Sequence, residues 1–390
     1  MKRLMHSASL LSGVALLCIT VFGIRAPAQA APVTANGVGR AASVPAQLQN
    51  FFPIGVWVAP DYAYATWQAR GVNTVVGIGF DLEGSIMQAN SLGLHMIREP
   101  RSNPADDANE PLLLAWAQPD EPDGIYSQIP YTTLQTQYNA WKTVAPNRPV
   151  FINFVGDLNQ YDIVTNESGD DWYRKYVQDA DWICADKYPV NDGNTNLGVM
   201  GQTMDHLQIL AGSKPIFAFI ESSDIDTTDG HPAPTPEQLR AEMWEVIIHG
   251  ARGIWFFPEQ ITPTFLFDTT PTDVANEMTR QNATIAALAS VLQGAVDPSG
   301  IAATAAAPLD MGWRNAASGA YFIVLNLSSS AQNARTIALS GIGAASSASV
   351  FGEARTVPIS AATIDDSFAP YAVHIYVVPA PDEIFRDGFD

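Results

Sequence analysis

The sequence is short of cysteine, of charge and of basic residues, and each shortage narrows what the chain can be. It has 2 cysteines in 390 residues, Cys18 and Cys184. Two thiols cannot build the disulfide framework of a small secreted scaffold, so the fold must rest on its core. Charged residues make up 15% and hydrophobic residues 47%, which excludes wholesale disorder and permits a large core. Lys and Arg number 20 against 40 Asp and Glu, a formal net charge of −20. Nucleic acids and anionic membranes are recognised by clustered cations, so neither is expected as a partner.

Several motifs are also missing. There is no G-x-S-x-G elbow to carry an esterase serine. No Gly-rich dinucleotide fingerprint follows an early strand. His95, His206, His231, His249 and His374 show no zinc-ligand spacing. The acidic stretch 224–230 is off the register of a calcium loop and reads as a polar rim loop. No metal and no cofactor is expected.

What is present begins with a leader. Lys2-Arg3 is a basic start, Leu10 to Val21 is apolar, and Ala28-Gln29-Ala30 is a small-residue cleavage site. Residues 1–30 therefore read as a signal peptide cleaved near Ala30, and the protein as secreted or periplasmic. The apolar run is too short to span a bilayer comfortably. Cys184 is then the sole thiol, and its setting, Trp182-Ile183-Cys184-Ala185, marks it as inert core. Residues 31–50, without period, read as a linker.

From residue 51 strand-like runs alternate with helix-compatible ones. The runs begin near Phe52, Asn73, Leu94, Leu112, Pro149, Asp181, Lys214 and Arg252. Helices are expected between most of them, with glycine stops at Gly71, Gly93, Gly212 and Gly250. Thr235-Pro236 is a good helix start, an N-cap followed by proline at the first position. Eight such units over residues 51–298 predict an α/β fold, a (β/α)8 TIM barrel. A doubly wound open sheet is the rival. Beyond it, residues 299–380 lose the helical period and predict a small antiparallel β-sandwich. Residues 381–390 form a short C-terminal tail. The oligomeric state is left open.

The chemistry gathers at strand ends. Leu112 to Ala117 is an apolar run that changes abruptly to Gln118-Pro119-Asp120-Glu121-Pro122-Asp123. In a barrel the C-terminal strand tips form the active rim. Here they carry Trp57, Asp81, Arg98, Glu99, Glu121, Asn153, Asp157, Asp186, Tyr188, Glu221, Trp255 and Glu259. Carboxylates can do acid–base and nucleophilic work, and flat aromatics stack on sugar faces. Glu121 and Glu221 form the expected catalytic pair, able to flank a glycosidic bond from opposite sides. Trp57, Asp81, Arg98, Asp120, Asn153, Tyr188 and Trp255 are the expected substrate contacts.

Asp120-Glu121-Pro122 resembles the Asn-Glu-Pro at the fourth strand of clan A glycoside hydrolases. Phe219-Ile220-Glu221-Ser222 resembles their nucleophile strand, Trp255 the aromatic floor of the sugar site, and Tyr188 the tyrosine that bonds the nucleophile. The resemblance covers about residues 52–295, on the barrel length scale. It implies that Glu121 is the acid/base and Glu221 the nucleophile, and that the anomeric configuration is retained. Asp120 stands where the clan has Asn, and an ionised Asp cannot donate as an amide does. A secreted retaining hydrolase of an oligosaccharide or polysaccharide is thus expected. The alternative is a barrel that binds glycan without cleaving it.

Overall fold

The structure is a computed structural model, and it describes residues 44–79 and 81–380. The expected signal peptide, most of the expected linker and the C-terminal tail lie outside the described residues. Eight strands close in sequence order into a barrel: β1 (Ile54–Trp57), β2 (Thr74–Val76), β3 (His95–Arg98), β4 (Leu113–Ala117), β5 (Val150–Val155), β6 (Trp182–Asp186), β7 (Ile216–Glu221) and β8 (Ala251–Phe257). Every pair is parallel, and β8 returns to β1 through Ile54↔Ile254 to Val56↔Phe256.

The helices on the outside are α1 (Tyr64–Ala69), α2 (Leu82–Leu92), α3 (Tyr131–Val144), α4 (Asp170–Val177), α5 (Gly198–Ala211), α6 (Pro236–Ile248), α7 (Thr272–Ala287) and the short α8 (Ala289–Leu292). The start of α6 is as its sequence predicts. Thr235 accepts from the Gln238 amide at 3.2 Å, and the Gln238 side chain accepts from the Thr235 amide at 2.9 Å. The third crossover carries a 3-10 turn, Pro104–Asp107, in place of a helix. Its Asp107 is wholly buried and takes Arg98 and Arg101 at 2.6 Å each and the Trp116 indole at 2.9 Å. Burial opposes the charge, but these donors outweigh it and hold the carboxyl at about 2.

Strand alternation divides the core in two. Val76, Ile97, Phe151, Trp182, Cys184, Phe217, Phe219 and Trp255 fill the barrel interior. Their neighbours in sequence, such as Ile152, Ile183, Ile216 and Ile254, pack outward on the helices. Burying each large side chain is worth about 1.5–3 kcal/mol, so a fold without disulfides is adequately held. Cys184 is buried as expected, and burial pushes its thiol well above the ordinary value. Leu48, on a 3-10 turn within the expected linker, is also fully buried against the interior cluster. The last part of that segment therefore belongs to the folded body, because its leucine covers apolar barrel surface.

The C-terminal strands are β9 (Ala302–Thr304), β10 (Leu309–Ala316), β11 (Gly319–Asn326), β12 (Gln332–Ser340), β13 (Ser347–Val350), β14 (Arg355–Pro358), β15 (Thr363–Phe368) and β16 (Val373–Pro379). They form two antiparallel sheets, β10-β11-β16-β13-β14 and β15-β12-β9. β11 is buried along its whole length and shows why the sheets stay against the barrel. Phe322 and Val324 face the core between the two sheets. Tyr321, Ile323 and Leu325 face the other way, into the main core with residues of α6. The wholly buried Arg314 adds a bond to the Ile247 carbonyl at 2.7 Å.

Candidate active site

The barrel mouth holds a carboxylate cluster built from the segment after β4, the tip of β6 and the second residue past β8. Asp120, Glu121 and Asp186 are half-buried, so water and substrate can reach them. Glu121 has a backbone φ of +42°. That left-handed conformation is unusual for a residue with a Cβ and costs about 1–2 kcal/mol. Its carbonyl secures the turn by accepting from Gly124 at 2.9 Å and Ser127 at 3.2 Å.

Three acids in one place disturb each other's ionisation. Burial and the Glu121 charge push Asp120 up to about 7, against a bond that Asn153 donates at 3.1 Å. Asp186 lies within hydrogen-bonding reach of Glu121. Burial, then the charge of Glu121, pushes it well above the carboxylate range. Glu259 is buried and pushed up to about 8 by burial and Asp120. The mouth therefore holds protons at neutral pH, which is the condition for donating one. Asp123, the last acid of the same stretch, faces inward. It is wholly buried, accepts from the Tyr173 hydroxyl at 2.9 Å and the Val155 amide at 3.2 Å, and anchors the loop. Gly156 lets the following loop pass close, since a Cβ there would lie 2.3 Å from the Asp186 carbonyl.

The expected substrate contacts fall into two groups. Asn153, Asp120 and Tyr188 belong to the cluster; Tyr188 is half-buried, with its ring 5.3 Å from Phe257, and burial followed by the Asp186 and Glu121 charges raises its hydroxyl. Trp57 is half-buried and packs edge-on to Phe219 at 5.4 Å. The others are engaged elsewhere. Asp81 caps α2 by accepting from Gly84 at 3.0 Å. Arg98 is 1% exposed and committed to Asp107. Trp255 is fully buried inside the barrel, stacked 5.4 Å from Phe217 at 13°, and presents no face to a sugar. Of the remaining tip residues, Asp157 is exposed and pairs with Lys187 at 2.9 Å. In the 224–230 loop Asp226 accepts from Thr228 at 2.9 Å and Asp229 from His231 at 2.7 Å, which are turn bonds.

Glu221 sits in a different setting from Glu121. It is fully buried. Its carboxylate accepts from the Val190 amide at 2.7 Å, the Asn191 amide at 2.8 Å and the Asn191 side chain. Glu242 of α6, also fully buried, lies beside it, and burial and the Glu221 charge push Glu242 well above the carboxylate range. A proton held by Glu242 against Glu221 makes the pair electrostatically tolerable. Burial raises Glu221 as well, against the amide donors. Glu242 and Asn191 escape a strand-tip reading because one is mid-helix and the other in a loop. The one signal is an acid among the apolar residues of α6.

Residues 127–260 match the family model described as Glyco_hydro_42, beta-galactosidase. The match includes Asp186, Tyr188 and Glu221 and begins after Glu121. No curated protein matches the chain. Among solved structures the chain is similar to Gan42B, a GH42 beta-galactosidase, with a TM-score of 0.59 and 9% identity over 85% of this chain and 98% of that one. It is also similar to AmyP in complex with maltose, with a TM-score of 0.53 and 8% identity over 86% and 98%. At these identities the likeness is one of fold: a closed parallel barrel followed by antiparallel sheets.

Proposed function

Taking the chain as a glycoside hydrolase on a barrel of the clan A type, we propose that it cleaves O-glycosidic bonds around Glu121, and that a β-galactoside is the first substrate class to try. The observation that carries this is the cluster of the half-buried acids Asp120, Glu121 and Asp186, with the half-buried aromatics Trp57 and Tyr188 on the same rim. Glu121 passes a proton to the leaving oxygen, and Asp186, held protonated within its reach, is the source of that proton. The galactoside is suggested by the family model alone.

The second role needs a carboxylate across the sugar from Glu121. Strand order supports Glu221 as nucleophile, with retention of configuration. To attack, it must leave the amides of Val190 and Asn191. Asp186 is held protonated beside Glu121 and is not a candidate for attack. Carboxyls within hydrogen-bonding reach are closer than the about 5–5.5 Å of a retaining pair, so Asp186 supports the acid and leaves the second role to a carboxylate across the sugar. Export to the periplasm or medium is part of the proposal; it is supported by the basic start, apolar run and A-x-A site of residues 1–30. Among the described residues no helix is long and apolar enough to cross a membrane.

The test is hydrolysis of aryl β-galactosides, galacto-oligosaccharides and a polysaccharide panel by the wild type, Glu121→Gln, Glu221→Gln and Asp186→Asn, with the first-formed anomer read by NMR. Loss in Glu121→Gln and Glu221→Gln with a retained anomer assigns the pair to strands 4 and 7. Loss in Glu121→Gln and Asp186→Asn, with Glu221→Gln active, removes Glu221 from the chemistry. Tight glycan binding by the wild type without any product would overturn the hydrolase reading.

A further inference from the structure

Away from the mouth, where α5 and α6 meet the C-terminal sheets, one histidine stands among three carboxylates. His249, the residue that ends α6, is only 15% exposed in its side chain. Its Nδ1 lies 2.9 Å from Asp205 of α5. Its Nε2 faces Asp310 of β10 at 3.2 Å and Glu245, one turn earlier on α6, at 3.6 Å. One ligand atom from each of Glu245, His249 and Asp310 can be chosen so that all lie within 4.8 Å of one another. Glu245 is 1% exposed, and its second carboxylate oxygen has no hydrogen-bond partner.

The same contacts that ion-pair His249 also meet the requirements of a metal centre. Asp205 takes one ring nitrogen and so fixes which nitrogen is left over, the arrangement by which a carboxylate orients a metal-binding histidine. The other nitrogen, Nε2, meets two further carboxylates, Asp310 at 3.2 Å and Glu245 at 3.6 Å. Tetrahedral zinc with bonds of about 2.0–2.1 Å places its ligand atoms about 3.3–3.4 Å apart. The two separations found at Nε2, 3.2 and 3.6 Å, bracket that spacing. A buried carboxylate oxygen without a donor is costly, and a cation removes the cost. Gly201 of α5 keeps the space open, since a Cβ there would lie 2.4 Å from Glu245 and 2.6 Å from His249. Asp310 is 35% exposed, which leaves an entry path and room for a water ligand.

We propose that this junction binds one divalent cation of the zinc class through His249 Nε2, Glu245 and Asp310, with Asp205 orienting the histidine and water completing the shell. The cation ties α6 of the barrel to β10 of the C-terminal sheets and is remote in role from the acids of the mouth. Local spacing hides the site, because the pair on α6 obtains its third ligand from a strand that follows far along the chain.

The experiment uses the full chain after chelator treatment and dialysis, titrated with zinc chloride by calorimetry, with melting temperature read in parallel. One zinc per chain and a higher melting temperature are expected. His249→Gln and Asp310→Asn should each weaken zinc binding by at least about 10–100-fold, the loss that removing even an orienting partner produces. His206→Gln and His231→Gln, outside the cluster, should leave it unchanged. If His249→Gln fails to fold, cobalt added to the unaltered chain gives the answer through the intense visible absorption of a tetrahedral ion. Absence of single-site binding, a weak octahedral cobalt spectrum, or zinc binding that follows His206 or His231 instead would overturn the proposal and leave His249 as an ion-paired clamp.

Discussion

Glu221 is the last residue of β7 and Glu121 follows the end of β4 by four residues, so each is carried to the rim by an apolar barrel strand, yet they sit in opposite environments. Glu121 is half-open to solvent on a strained turn, among acids that are themselves held up by its charge. Glu221 has no exposed surface, and its oxygens are met by the amides of loop 190–191 and by the carboxyl of Glu242. Strand position delivers a carboxylate to the rim. What it then does depends on whether the loops supply it with donors. A carboxylate already met by amides is held in place by them, whereas one at an open rim is left for substrate to reach. The two ends of the barrel mouth therefore test how much of function follows from topology alone.

The largest effect should come from Glu121. Glu121→Gln keeps the size and the turn but removes the proton, and turnover should fall by about 10²–10⁴-fold. Its melting temperature should stay within a few degrees of wild type, as checked by calorimetry. A variant that retained more than a tenth of wild-type turnover would remove the proposed asymmetry at its source.

Glu221→Ala should act on stability first. It leaves the Val190 and Asn191 amides and the Asn191 side chain without their acceptor, at about 1–3 kcal/mol for each donor that water cannot reach. Relief of the charge beside Glu242 offsets part of this. A net loss of about 2–4 kcal/mol in denaturant unfolding is expected, against a near-neutral Glu242→Gln, whose carboxyl is already protonated. If Glu221→Ala were as stable as wild type and inactive, the residue would be a catalytic group like Glu121 and the contrast would fail.

The protons at the mouth give a third, smaller test. Asp120 and Glu259 are pushed up to about 7 and about 8, while the unfolded chain titrates near 4. Between those values the folded state binds more protons than the unfolded state. Stability is therefore present below about pH 4 and is lost as pH rises through 7 to 8. The melting temperature should be higher at pH 5.5 than at pH 8.5. The double variant Asp120→Asn, Glu259→Gln should flatten that slope. A melting temperature that rises across this window would show that the acids are not held protonated.

How much of this was legible beforehand follows from the same physics. The eight barrel strands announce themselves because a strand covered on both faces is a continuous apolar run, as in Leu113–Ala117 and Ile216–Glu221. β10 and β15 do not. Their outer positions carry Asp310, Asn315, Asp365 and Asp366, and half-exposed strands of this kind read as loops. The burial of Trp255 was available in principle, since it pairs in register with Phe219, an interior residue. Arg98 follows Ile97, an interior residue, and strand alternation turns it toward Asp107. The surroundings of Glu221 were not legible. They depend on Asn191 and Glu242, which only the closed barrel brings to it.

Trp57 supplies the finest test. It is the aromatic residue at the β1 tip, half-buried and held edge-on by Phe219. Its exposed surface lies on the same rim as Glu121. If sugar is held there, Trp57→Ala removes one stacking face and should raise KM about 5–10-fold, equivalent to about 1–1.4 kcal/mol, with kcat changed less than twofold. Truncation also opens space beside Phe219, so a more conservative partner is needed. Trp57→Phe keeps the packing and a smaller face, and should recover most of the lost affinity. A fall in kcat with KM unchanged in both variants would mean that Trp57 shapes the floor under the reacting acids and not the sugar subsite. The mouth would then be organised from the Phe219 side, the strand that ends in Glu221, and the distance between the two glutamates would matter more than their exposure.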